Sequence, residues 1–412
     1  MPKLRALNRL SILIAGAALQ TLSITAVHAE AVANFLSQGH MLLDARLRYE
    51  NVGQAGFSHD AEAMTARERL GYETAEFDSF KALFEVQVTQ HLSGAFNDTI
   101  NGHIAYPQVP DPENFSLNRL QISYSGFPGL TATLGRQVVN LDDQRFIGAS
   151  AFRQNEQTFD AVRLDYGGIQ GLSATYIYMD RVNRVFGERS QSGHFNGDVQ
   201  AIHAAYDITG VGKLTGYAYL LDIDNSPALS TATYGALLTG TQPLDDTLSL
   251  HYQLGYGRQT GYATNPRDFA LDYWRTELGL EYARWSLVGG VESLGGDGKG
   301  GFQTPLATLH AFQGYADVFL TTPPQGIADR YGKLAYQADL QLLDAQRRIT
   351  FAAWYHDFDA AHGSGSEGHE TDIEASARVN EHWRVDIAYA TYEGTASFAS
   401  RHKTWLALTT NF

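Results

Sequence analysis

The chain has 412 residues and no cysteine, with 30 Lys and Arg against 45 Asp and Glu. The missing thiols exclude a disulfide framework and thiolate chemistry, and the acidic balance argues against a nucleic-acid partner, which requires a basic face. Apolar residues make up 44% of the chain, yet no stretch beyond the N-terminus reaches the roughly 18 apolar residues of a spanning helix. Any membrane passage must therefore be made by strands.

The N-terminus reads as a secretory signal. Lys3, Arg5 and Arg9 precede an apolar run from Ser11 to Val27, and Val27-His28-Ala29 is a small-residue cleavage site. The expected organisation is a signal peptide over 1–29 and a single barrel domain over 30–412. Without the signal, 22 Arg and five Lys remain against 45 acids.

From there the chain alternates apolar and polar residues in segments of roughly ten, split by turn residues, as transmembrane β-barrel strands do. The first strand is expected at 41–51, where Leu43, Ala45, Leu47 and Tyr49 oppose Asp44, Arg46, Arg48 and Glu50. The second, at 62–74, carries Arg67, Arg69 and Glu73 on its polar face. The third, at 79–90, sets Phe80, Ala82, Phe84, Val86 and Val88 against Lys81, Glu85, Gln87 and Thr89. Further strands follow at 114–125, with Arg119 on its polar face, and at 130–139, 157–167, 170–182, 198–209, 212–223, 232–241, 246–259, 271–283, 284–294, 331–343, 347–358, 370–379 and 381–393. The last, at 402–412, ends on Phe412, with Leu406 and Leu408 on the face of that terminal ring and Trp405 opposite.

Connections after even-numbered strands are tight, as in Gly126-Phe127-Pro128-Gly129 or Asn380-Glu381. Those after odd-numbered strands are longer, as at 91–113, 140–156, 183–197, 260–270 and 295–330. Short periplasmic turns alternating with long extracellular loops are the barrel pattern. The fold class is thus all-β, a transmembrane antiparallel barrel of about 18 strands in the outer membrane of a Gram-negative bacterium. A soluble sandwich would show the same alternation, but it would bury the apolar faces in a core. Here those faces meet lipid, and the polar faces, including Asp165, His203, His251, Gln253 and Gln337, line a water-filled interior.

Arg dominates the cations, and its planar fork grips carboxylates with paired hydrogen bonds. Four Arg fall within Leu134-Gly135-Arg136-Gln137, Leu141-Asp142-Asp143-Gln144-Arg145-Phe146-Ile147-Gly148 and Phe152-Arg153-Gln154-Asn155-Glu156-Gln157-Thr158-Phe159-Asp160-Ala161-Val162-Arg163. A second distinctive stretch runs from His310-Ala311-Phe312-Gln313-Gly314-Tyr315 to Asp329-Arg330-Tyr331. With Arg67-Glu68-Arg69-Leu70-Gly71-Tyr72-Glu73, these stretches resemble the alginate export family of outer-membrane porins. The resemblance implies an 18-stranded monomeric barrel with an Arg-rich constriction that conducts a polyuronate. It implies Arg136, Arg145, Arg153 and Arg163 as pore cations, with Asp143 and Asp160 holding the Arg forks in place. Arg46, Arg48, Arg67, Arg69 and Arg119 join them by strand parity.

The expected function is passive passage of an anionic or uronate-containing saccharide, with outer-membrane lipid around the barrel and periplasmic export machinery as a further partner. A general diffusion porin for small nutrients is the alternative, and a barrel enzyme a third reading. No cofactor pattern is present. The His and acid residues between His356 and Glu370 match no zinc spacing, and no nucleophile-and-base signature stands out.

Overall fold

The computed structural model describes residues 34–342 and 345–412, so the expected signal peptide lies outside the described residues, as do residues 343–344. The described residues form eighteen strands. In chain order they are β1 (His40–Gln54), β2 (Ala61–Glu73), β3 (Phe80–His91), β4 (Asn114–Phe127), β5 (Leu130–Gln137) and β6 (Thr158–Ile169). Then come β7 (Leu172–Asn183), β8 (His194–Ile208), β9 (Gly212–Ile223), β10 (Thr231–Pro243), β11 (Leu248–Gly261) and β12 (Ala270–Tyr282). Last are β13 (Trp285–Leu294), β14 (Ile327–Leu342), β15 (Ala345–Asp359), β16 (Ser366–Arg378), β17 (Trp383–Glu393) and β18 (Arg401–Asn411).

Each strand pairs antiparallel with its chain neighbours, and β18 pairs with β1 from Asp44↔Asn411 to Gln54↔Arg401. The seam continues past the strands: Phe412 N–H donates to Leu43 O at 2.8 Å, and Leu43 N–H to Phe412 O at 3.2 Å. The sheet is therefore a closed barrel without an edge, the only sheet that hydrocarbon tolerates. Tight connections follow even-numbered strands throughout, which puts both strand termini of the seam at the periplasmic end. In one such turn Gly129 has φ +71°, and a Cβ there would overlap Gly168 at the periplasmic end of the adjacent β6. Glycine supplies both the left-handed backbone and the close approach.

Three strands begin four residues earlier at their extracellular ends than alternation predicts: β8 at His194, β14 at Ile327 and β16 at Ser366. Their added residues are turn formers such as Asn196, Gly197, Ser366 and Gly368. Neighbouring strands pair with them all the same, as in Asn196↔Arg181, Gly197↔Ile223 and Ser366↔Asp359. Tertiary pairing overrides weak local propensity.

The outward face is apolar as expected. Leu47, Leu254, Leu278, Leu287, Ile373 and Leu406 are exposed to the lipid side. Rings gather nearer the two ends of this band: Tyr234, Tyr256, Trp274 and Tyr355 on the extracellular side, and Tyr206, Tyr282, Trp285 and Phe412 on the periplasmic side. Such girdles mark the two membrane interfaces.

The inward face differs from the expected uniformly wet lining; its character changes with depth. On β9 it runs Lys213, Thr215, Tyr217, Tyr219, Leu221 and Ile223 from the periplasmic to the extracellular end, the last five all buried. On β6 it runs the other way in sequence, from Phe159 and Ala161 to Arg163 and Asp165. The apolar positions pack against loops that enter the barrel: Phe159, Ile177, Met179, Val199 and Leu221 gather with Leu141, Ile147 and Leu306. A second cluster joins Tyr273, Leu294, Phe358 and Tyr392 to Phe302, Ala316 and Phe319. The extracellular half of the interior is thus packed, and the periplasmic half is open and polar.

An outward Leu at mid-depth should tolerate charge poorly. Leu278→Arg is expected to lower the unfolding free energy in lipid by about 2–4 kcal/mol, read by urea titration in phospholipid vesicles.

Candidate functional site

Two loops enter the barrel and pack against its wall: residues 138–157 between β5 and β6, and 295–326 between β13 and β14. The second is the long C-terminal loop expected from the sequence, and it lies inside the barrel. The two loops bond to each other along Ile147↔Leu306, with Gly148 N–H donating to Leu306 O at 2.9 Å and Thr308 N–H to Gln144 O at 3.1 Å. Gln157 Nε2 donates to both Gly148 O (2.8 Å) and Leu306 O (2.9 Å). Phe146 sits among Tyr217, Tyr219, Tyr273 and Phe302, with ring centroids 5.1–6.2 Å away.

Charge then locks the loops to the wall. Arg153 donates to Asp317 at 2.7 Å and to Glu50 on β1 at 3.3 Å. Lys403 on β18 meets the same two acids at 2.6 and 3.5 Å. Arg48 pairs with Asp111, from the 92–113 loop, and with Glu50 at 3.3 Å. All six side chains are buried, three cations against three anions. Such a cluster holds only when its charges balance, because each isolated ion would lose its hydration without compensation. Burial opposes the Asp317 charge, but Lys403, His310 and Arg153 outweigh it and hold that carboxyl well below its ordinary range. For Arg153, burial likewise opposes the charge, and Glu50, Asp317 and Asp111 more than offset it. Burial pushes the His310 imidazole down, towards the neutral form.

Arg145 forms a second lock. Its guanidinium donates to Glu292 on β13 (2.7 Å), Thr304 (3.0 Å) and Gln313 (3.3 Å), and lies 4.6 Å from the Phe312 ring centroid. The 314–316 backbone is gripped from β16: Ala316 N–H donates to Glu370 at 2.6 Å and Tyr315 N–H to Asp372 at 3.3 Å. Gly314, at φ +80°, lies so close to the Glu370 carboxylate that a Cβ would overlap it.

The remaining expected site residues sit on the barrel wall, each with a partner; Arg136 and Asp160 share the strand face of exposed Leu134 and Val162, not the inward face of Gln137 and Phe159. Arg67 pairs with Asp44, and Arg69 with Gln87 (2.7 Å) and Glu156 (3.2 Å). Arg119 grips Glu85 at 2.5 and 3.0 Å, Arg136 grips Asp160 at 2.6 and 2.9 Å, and Arg163 meets Asp165 at 2.7 Å. Asp160 therefore holds an Arg fork as expected. Asp143 holds a different one: it accepts from Arg275 at 2.6 Å, and of the four expected Arg it meets only the Arg145 backbone N–H, at 3.2 Å. Arg46 stands apart. It donates to the carbonyls of Ala151 (2.7 Å), Phe152 (2.9 Å) and Arg153 (3.3 Å), with no carboxylate at ion-pair distance among the described residues.

Sequence reasoning missed Arg275, Lys403, Asp111, Glu292 and Asp317 as parts of this site. Strand parity puts Lys403 inward beside Trp405, which was a usable signal; Asp111 and Asp317 lie in loops, where no periodicity marks direction. His356 bonds Asp329 at 2.9 Å as part of the wall, and no metal-binding group occurs among the described residues.

Cavities lie between the in-folded loops and the wall and near the periplasmic turns. One of about 300 Å³ is lined by Arg46, Phe152, His310, Tyr315, Arg384 and Asp386. Another of about 320 Å³ lies beyond Tyr315, against Lys333, Trp354, Tyr331 and Glu277. A larger one of about 710 Å³ opens near the periplasmic turns beside Thr239, Thr241, His251 and Gln253.

Two outcomes follow for the locks. Arg153→Ala leaves the three buried acids Glu50, Asp111 and Asp317 with only Arg48 and Lys403, one anion in excess, and should cost about 3–5 kcal/mol of stability, measured by urea unfolding in micelles. Arg46→Ala strands no buried acid and should cost less. A carboxyl held low stabilises the fold above its unfolded value and loses that contribution as pH falls through the folded one. The Asp317 anchor, whose ordinary value is 3.8, should therefore persist at pH 4, and single-channel gating noise should rise only in stronger acid.

A sequence search of curated proteins finds no match. Solved structures share the architecture. Acinetobacter baumannii OccAB4 aligns with a TM-score of 0.69 at 14% identity, covering 92% of this chain and 100% of that one. Pseudomonas aeruginosa OccD3 (OpdP) gives 0.67 at 13%, covering 92% of each chain. Pseudomonas aeruginosa OpdK with vanillate gives 0.66 at 13%, covering 92% and 99%. At such identities they speak for the fold alone: a closed barrel of the outer-membrane porin type. The family described as alginate export matches residues 40–287. Neither that family nor these barrels are enzymes. Matched from its first strand into the thirteenth, the chain belongs to the alginate export family, as an eighteen-stranded porin of the Gram-negative outer membrane.

Proposed function

We propose that this porin gives passive passage to an anionic, uronate-containing saccharide of the alginate type, attracted by Arg in the barrel interior. The observation that carries the reading is Arg46. Most interior Arg are neutralised by carboxylates, whereas Arg46 is held by three backbone carbonyls, which leaves its positive charge uncompensated. Beside it the 300 Å³ cavity also holds Arg384, half exposed and paired with Asp386 at 2.6 Å. A carboxylate arriving there gains charge-assisted bonds. The neighbouring acids Asp386 and Glu374 temper that gain, so that a polyanion enters without being trapped.

The barrel acts as a monomer on this reading, since a closed sheet needs no strand from a partner. Residues 1–29 direct secretion and are removed, and periplasmic export machinery would meet the short-turn end.

One observation favours passage of small nutrients instead. The larger cavity presents the hydroxyl, amide and imidazole groups of Thr239, Thr241, Gln253 and His251, and its charged residues are Asp207, Glu277 and a single cation, Lys213, a lining that does not single out anions.

Reversal potentials across a salt gradient in planar bilayers separate the two. The wild-type channel should prefer anions, and Arg46→Ala with Arg384→Ala should reduce that preference. A cation-selective wild-type channel would overturn the uronate reading.

A further inference from the structure

The two smaller cavities flank one turn of the in-folded loop, and aromatic rings run between them. Starting beside Arg46, Phe152 stacks on His310 with centroids 3.4 Å apart. His310 stacks on Tyr315 at 5.0 Å, and Tyr315 meets Trp354 at 5.2 Å. The row ends at Lys333, whose ammonium lies 4.7 Å from the Trp354 ring centroid. Lys333 has no carboxylate at ion-pair distance among the described residues. The four rings are half-buried and line the cavities, so each keeps some surface for a ligand.

We infer that Arg46 and Lys333 are the two ends of one extended subsite, a row of rings capped by cations, that takes an acidic oligosaccharide of several sugars rather than a single uronate. The inference rests on the proposed uronate passage and specifies the ligand's length. The register supports it: Lys333 lies directly across from Trp354, and Ala388 on β17 directly across from Trp405. Small Ala388 leaves room over β17, and the Tyr315 ring reaches into that region from the loop. From β14 to β1 the wall spans five strand spacings, an arc of roughly 24 Å at about 4.8 Å each. A monosaccharide reaches one cation only. A longer chain can set carboxylates at both ends while its apolar ring faces lie on the aromatic surfaces, which are apolar in body and polar at the tip.

The test is current block of the full-length channel in planar bilayers by oligomannuronates, from disaccharide to hexasaccharide. In wild type the apparent affinity should rise with length. In Lys333→Met and in Trp354→Ala the hexasaccharide should bind about ten-fold more weakly, a loss of one decade in Kd, while the disaccharide is little changed; Trp354→Phe should restore most of the length dependence. If Lys333→Met keeps the wild-type length dependence, or wild type blocks equally at every length, the extended subsite is wrong and the uronate reading stands. If no oligomannuronate blocks the wild-type channel at all, the uronate reading fails first.

Discussion

Hydrocarbon offers no hydrogen bonds to a backbone, so a sheet in the membrane must close on itself. Here closure falls to the pairing of the first and last strands and to the Phe412–Leu43 exchange beyond them. Once that seam exists, every strand has one face in lipid and one face inside, and the outward Leu, Ile and aromatic positions follow. The same seam brings Glu50 on β1 beside Lys403 on β18, two residues about 350 positions apart in the chain. The charge cluster that anchors the loops is therefore a product of closure.

The interior has a division of labour by depth. Near the extracellular end the inward positions of β6 to β9 are mostly Phe, Ile, Leu, Met and Val, and they receive the 138–157 and 295–326 loops as an ordinary packed core would, while β1, β13, β16 and β18 meet the same loops there with buried Glu50, Glu292, Glu370 and Lys403. Nearer the periplasm they are Arg, Asp, Thr, His and Gln and stay open. The loops bring their own polar groups into the core, which is tolerable because those groups are paired: Arg145 with Glu292, Arg153 with Glu50 and Asp317, Gln157 with two carbonyls. A buried charge left without its partner would cost more than the pair contributes.

Against that background an interior cation without an acid is informative. Arg46 and Lys333 are such groups, and both border cavities. Arg67, Arg69, Arg119, Arg136 and Arg163 are better described as wall braces, because their forks are already filled. Presence on the barrel wall and availability to a solute are thus separate properties, and only the second bears on passage.

Much of the barrel is legible in the sequence because a strand's side chains alternate with period two. That periodicity located all eighteen strands, the alternating short and long connections, and the outward position of Leu47, Phe84 and Leu406. It also assigned Arg46, Arg48, Arg67 and Arg69 to the inner face. Resemblance in the two loop motifs pointed to the family. Only the tertiary structure decided that both loops turn inward, that Asp143 holds Arg275, and that Asp111 and Asp317 complete the buried cluster. Loops carry no repeat from which direction can be read, and their contacts reach across more than a hundred residues, as from Arg145 to Glu292. Alternation tells which way a side chain points; which partner it meets there depends on closure and register, properties of the whole barrel.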